Sequence, residues 1–212
     1  MSDALETYSL VELAVRRLRG EILSGRIHPG ERLVEEQLTR QLGISRAPLR
    51  EALRLLAEQG LVEHVPRRGA RVATLSDQDV QELYAIRDVL ERYAVEAALP
   101  VTEADLAGLR LALDGMRHAA HAGDRPEVAH AHRRFHAALV GLAGNRQLTG
   151  LYESVLVKLQ LYMAINLRRE AEHAQPLDGV HRHERLLASV GAGDVAAVLG
   201  ALSNHGARSY LP

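Results

Sequence analysis

Residues 42–73 read LGISRAPLREALRLLAEQGLVEHVPRRGARVA, and the periods within them decide the fold. Gly43 closes a short helical pattern with Val34, Leu38 and Leu42 at spacing four. Ser45 opens the next helix, where its hydroxyl is expected to cap first-turn amides and Pro48 sits early enough to cost no hydrogen bond. Leu49, Ala52, Leu53 and Leu56 form that helix's inner stripe, and Gly60 ends it. Arg46, Arg50 and Arg54 recur every four residues and so line the opposite, outward side. The period then changes. Val62, Val65, Val72 and Ala73 flank Pro66-Arg67-Arg68-Gly69, a β-hairpin pattern in which Gly69 takes the positive φ of a tight turn. Upstream, Leu10, Leu13, Ala14, Leu18, Ile22 and Leu23 mark a first helix that stops at Gly25. Three short helices, a glycine turn between the second and third, and a basic hairpin make a winged helix-turn-helix plan.

Past Ala73 the apolar period lapses until Ser76, a second cap, which places a domain boundary there. Residues 8–75 are therefore expected to form the winged domain, and 76–212 a separate all-α unit. Breaks at Pro100–Thr102, Gly123–Pro126, Gly144–Asn145, Gln175–Gly179 and Gly191–Gly193 cut the second part into about six helices, an antiparallel bundle. The expected fold class is mainly α. Leu, Ala and Val carry a 47% hydrophobic content with only 3% aromatics, which suits helix interfaces and excludes a disordered chain. No run approaches the length of a membrane span, so no membrane partner is expected. The opening residues MSDALETYSL lack the pattern of a secretory signal, and the expected location is cytoplasmic. Absence of cysteine excludes a disulfide framework, an iron–sulfur cluster, a thiolate zinc site and a cysteine nucleophile.

A net charge of −1 conceals an asymmetry: residues 37–73 hold 7 basic side chains against 3 acidic ones. Such a patch suits a polyanion. Arginine can grip guanine with two parallel hydrogen bonds or pair with phosphate, and a helix N-terminus near Ser45 can hold a phosphate oxygen. Arg46, Arg50 and Arg54, with Arg67, Arg68 and Gly69 at the hairpin tip, are thus the candidate contacts to double-stranded DNA. Arg54 has a plainer alternative, since Glu51 and Glu58 stand at pairing distance along the same helix. One winged helix reads only a short half-site, so a homodimer on a palindromic operator is expected.

The run HPGERLVEEQLTRQLGISRAPLREALRLLAEQGLVEHVPRRGARV, residues 28–72, resembles the winged-helix domain of the GntR family of bacterial transcription regulators, in the branch that carries an all-helical FCD domain. The pieces "PGERL", "LGISRAPLREAL" and "GLVEHVPRRGARV" occur in the family's order and spacing, and the resemblance continues through the C-terminal bundle. It implies a dimeric repressor or activator in which Ser45, Arg46, Arg50, Arg67, Arg68 and Gly69 contact operator DNA. Some relatives carry a basic residue where this chain has Glu36, so no contact is carried to that position.

Among eleven histidines, His132 and His136 are i and i+4 on one helix, within reach of one ion, beside the apolar Ala129, Phe135, Leu139 and Val140. His183 and His205 lie on later helices, and a bundle core can collect ligands from separate helices in this way. Each alone reads as a hydrogen-bonded polar residue. The family resemblance implies more: many FCD domains hold a divalent metal through an Asp and three His, and His136, His183 and His205 fall on the histidine positions while His132 occupies the aspartate's. An all-imidazole set favours zinc, nickel or copper over magnesium or calcium and strengthens the pull on an anion. Arg87 resembles the family's effector-facing arginine and would pair with a small organic acid. Its plainer alternative is an intrahelical ion pair with Glu91 at i+4. The expected function is a ligand-responsive DNA-binding regulator with a zinc- or nickel-type cofactor. A metal sensor and a metal-dependent hydrolase or oxygenase are the competing readings. No enzyme is expected: His183-Glu184 is followed by Arg185, Leu186 and Leu187, not HExxH, and no Ser/His/Asp order or phosphate-cradling loop occurs.

Overall fold

Ser9 starts the first helix by a reciprocal pair of bonds: its hydroxyl accepts the Glu12 N–H at 3.2 Å and its own N–H donates to the Glu12 carboxylate at 2.7 Å. The computed structural model describes residues 9–170 and 177–203, with side chains omitted for 163–170. The chain divides after Thr74 into two units. In the first, helix α1 (Leu10–Leu23) buries Ala14, Leu18 and Ile22 and packs on α3 (Arg46–Glu58), whose Leu49, Ala52, Leu53 and Leu56 are all within 1% of complete burial. Between them lies α2 (Glu35–Leu42), ended by Gly43 in the left-handed conformation at φ 66°, which a side chain would strain.

Strands β2 (Val62–Val65) and β3 (Gly69–Val72) form the hairpin, with Val62 opposite Val72 and Val65 opposite Gly69. A third strand, β1 (Arg32–Leu33), pairs antiparallel with the other edge of β3, giving the order β1-β3-β2. Sequence periodicity does not reveal β1, because two residues contain no period. Helix α2 begins at Glu35, with Val34 as its N-cap residue instead of an inward position of the helix.

In the second unit, Ser76 repeats the reciprocal cap with Asp79 and launches α4 (Asp77–Ala98). The helices that follow are α5 (Ala107–Ala122), α6 (Arg125–Gly141), α7 (Arg146–Glu170), α8 (Asp178–Gly191) and α9 (Val195–Ser203). Asp124 caps α6, and Pro126 occupies its first turn, where its missing N–H is harmless. Six helices thus follow the boundary among the described residues. Helix α6 packs against α4, α5 and α7, and its His136 also meets His183 of α8. Leu109, Met116, Phe135, Leu139, Leu186 and Val190 fill the main core, and Tyr152 and Leu156 seal α7 against Ala94 of α4 and Val140 of α6. Among the described residues no helix is long and apolar enough to cross a membrane.

Candidate functional sites

The leucine stripe of α3 faces α1 and fixes the helix in rotation, so Arg46, Arg50 and Arg54 all stand exposed. Each then finds a different setting. Arg50 Nε donates to Glu35 at the start of α2, 3.0 Å from each carboxylate oxygen. Arg54 pairs along its own helix, through Nη2 at 2.6 Å to Glu51 and through Nη1 to Glu58. These are the partners its sequence neighbourhood offers. Ser45 occupies the N-cap position, but its hydroxyl makes no capping bond; the sequence-based expectation of a side-chain cap is corrected here. The hydroxyl is exposed beside the first-turn amides, where water competes for it.

At the hairpin tip Arg67, Arg68 and Gly69 are exposed, and the Arg68 N–H donates to the Val65 carbonyl at 2.9 Å. Gly69 has φ 85°, as the turn requires, and Arg67 also has a positive φ of 62°, which the sequence did not suggest. Arg71, on β3, is tied across the strands to Glu63 at 2.7 Å.

A second constellation lies inside the bundle. Helix α6 contributes His132 and His136 and α8 contributes His183, with one donor atom from each within 4.8 Å of the others. His136 is fully buried, His183 nearly so and His132 half-buried. Burial, aided by the Arg87 charge, holds His136 well below the usual imidazole range, and burial lowers His183 to about 4 against the opposing pull of the Gly179 carbonyl. Both rings are therefore neutral near pH 7, with one proton each. The His183 Nδ1–H donates to the Gly179 carbonyl at 2.6 Å, because a carbonyl can only accept. The His136 Nδ1–H likewise donates to Glu91 Oε1 at 2.9 Å. With those two bonds made, Nε2 is the nitrogen each ring turns toward the other, and the two Nε2 atoms stand 3.3 Å apart. Two imidazoles bound tetrahedrally at ordinary zinc–nitrogen distances would stand about 3.3 Å apart. The donors present therefore fit a divalent transition metal in type and spacing. His205 lies outside the described residues.

Behind His136 sits a buried polar group that the sequence only half disclosed. Arg87 Nε donates to Glu91 Oε1 at 2.9 Å, so the i+4 ion pair foreseen as the plainer alternative is formed. The Tyr152 hydroxyl donates to that same oxygen. Three donors on one carboxylate oxygen, all buried, make Glu91 the hub, and neither it nor Tyr152 was singled out as a site residue from sequence. Tyr152 lies 61 residues from Glu91, and nothing in an apolar helical run marks it. Arg87 Nη2 stands 2.9 Å from Nδ1 and 3.1 Å from Nε2 of His136. The guanidinium thus lies close to both nitrogens of the ring at nearly equal distances.

A basic helix-turn-helix with a wing, followed by a helical bundle that gathers three histidines, is the arrangement of a DNA-binding regulator. Residues 10–72 match the model of the bacterial regulatory proteins of the gntR family, and residues 82–208 match the FCD domain. The chain belongs to the GntR family of transcription regulators, in the branch with an FCD ligand-binding domain. It is 32% identical over 193 residues to a probable D-xylose utilization operon transcriptional repressor of Paenarthrobacter nicotinovorans, covering 91% of this chain and 83% of that one. It is 38% identical over 141 residues to the uncharacterized HTH-type transcriptional regulator YdhC of Bacillus subtilis (strain 168), covering 66% of this chain and 63% of that protein's length. The solved structure of E. coli McbR/YncC superposes with a TM-score of 0.78 at 26% identity over 96% of each chain. These families and relatives are transcription regulators, not enzymes.

Proposed function

We propose that this regulator is a homodimeric repressor whose operator affinity is set by a small organic acid bound beside a divalent metal in the FCD bundle. One observation carries the metal reading: His136 and His183 face each other through Nε2 at the spacing of two ligands on one ion. His132 completes the described set, and His205 is the fourth candidate. When bound, the ion supplies positive charge and open coordination positions for a carboxylate. Arg87 is the group proposed to meet the rest of that anion, which requires it to loosen from Glu91. In the winged unit, taken as residues 8–75, Arg46 and Arg50 read base edges. The α3 N-terminus at Ser45 and the wing residues Arg67, Arg68 and Gly69 hold phosphate or the adjoining minor groove. Pairing of two copies through residues 76–212 would present two such helices to successive major grooves of a palindrome. The repressor direction is that of the relative from Paenarthrobacter nicotinovorans, a probable D-xylose utilization operon transcriptional repressor.

Elemental analysis of protein purified without chelator should find zinc or nickel near one per chain. Selection of bound DNA from a random pool at stated salt should return a palindrome, and a carboxylate screen should then release it. Protein without metal that also takes up none on addition would end the metal reading, and a monomer at working concentration would end the dimer. The engagement of Arg87 by Glu91 favours a second reading, in which the metal itself is the signal. Titrating operator release with metal alone, then with acids at fixed metal, separates the two.

A further inference from the structure

We propose that Glu91 is the positioning carboxylate of the histidine centre: it orients His136 with Nε2 toward the ion and, by accepting its Nδ1–H, makes that imidazole the better donor. The inference rests on the metal reading above and goes beyond it by giving a role to a residue outside the ligand set. Glu91 is 2% exposed and is the one carboxylate among the described buried residues of the second unit. Taking a carboxylate out of water is expensive, and an i,i+4 pair with arginine forms as readily on a helix surface, so ion pairing alone does not explain this depth. What burial adds is contact with another helix. Glu91 Oε1 accepts the Nδ1–H of His136, 45 residues away on α6, and this bond dictates which ring nitrogen faces His183.

A carboxylate behind a metal-facing imidazole fixes the ring and makes it a better donor, and loss of such a partner weakens metal binding by about 10- to 100-fold. The role matters because the three described candidate ligands are all imidazoles, with no carboxylate among them. Tyr152 holds the same oxygen from α7, so the carboxylate is set from three helices. Arg87 is the opposing element: its guanidinium also lies against the His136 ring, and its charge repels a dication.

Glu91→Gln and Arg87→Met break the same ion pair, and this separates a structural role from a positioning one. If the pair merely holds the bundle together, both variants change metal affinity alike. If Glu91 positions the ligand, they part in direction. Zinc and cobalt affinities, measured by chelator competition in the absence of any organic acid, should weaken about 10- to 100-fold in Glu91→Gln. They should equal or exceed those of the parent in Arg87→Met, and the visible cobalt absorption should shift in the Gln variant alone. Should Glu91→Gln fail to fold, the double variant Arg87→Met/Glu91→Gln leaves no buried charge unpaired and is compared with Arg87→Met for the same weakening. Affinity for Glu91→Gln within twofold of the parent, or equal weakening in both single variants, overturns the proposal while leaving the metal reading in place. A parent protein that binds neither zinc nor cobalt overturns both.

Discussion

Arg46, Arg50 and Arg54 repeat every four residues, yet the structure gives them unequal freedom. Arg50 is bonded to Glu35 through Nε and not through Nη1 or Nη2, whereas Arg54 spends both ends of its guanidinium on Glu51 and Glu58. Arg50→Ala should therefore weaken specific operator binding by about 1–3 kcal/mol, the worth of a two-bond contact to guanine, and Arg54→Ala by clearly less. Fluorescence anisotropy at fixed salt checks the ranking, and equal losses would show that Arg54 leaves its carboxylates on the DNA. The arginine stripe was legible because helical spacing is local. The Glu35–Arg50 pair was not, since it joins two helices across 15 residues. The same holds in the bundle: His132 and His136 announce themselves at i,i+4, while the reach of Glu91 to His136 and Tyr152 exists only once α4, α6 and α7 are packed. The buried imidazoles also make a pH prediction for chelator-treated protein. Their folded values lie below the unfolded value near 6.5, so the unfolded state binds more protons once the pH falls under it. Their stabilisation is complete above about 6.5 and is lost as the pH falls toward 4. The melting temperature should drop across that window, and a flat profile from pH 7 to 4.5 would contradict the burial described.

At the level of single elements, the ends of the helices were easier to read than their partners. Gly43, Gly123, Gly144 and Gly193 all adopt the positive φ that stops a helix, and Ser76 caps α4 as its position before an apolar period suggests. Ser45 is the counter-example. It has N-cap backbone angles without the hydroxyl bond, so sequence identified the place and not the interaction. Ser76→Ala should accordingly cost about 1 kcal/mol of stability, and Ser45→Ala much less, because only the first removes a bond that is made. Urea denaturation of the two variants tests this, with DNA binding as a separate readout for Ser45. Strand β1 escaped notice through brevity, although it supplies one whole edge of the sheet. Deep in the first unit, Leu53→Ala should cost about 2–5 kcal/mol and release α3 from α1. Loss of operator binding would then accompany unfolding, unlike the loss in Arg50→Ala, where the melt should be unchanged.

For the molecule as a whole, the division after Thr74 falls where the sequence period changes and the apolar pattern lapses. The chain passes from Ala73 to the α4 cap at Ser76 with almost nothing in between, and α4 is the same helix that carries Arg87 and Glu91. Its 22 residues rise about 1.5 Å each, so Glu91 stands roughly 20 Å along a stiff axis from the helix start. Lengthening the junction with a few glycines after Thr74 should leave operator affinity and metal uptake close to the parent values while abolishing any influence of one on the other. Persistence of that influence would mean it travels outside the junction. Glu91 and Ser76 thus belong to one unbroken run of backbone, and Leu75 alone separates that helix's cap from the last residue of the first unit.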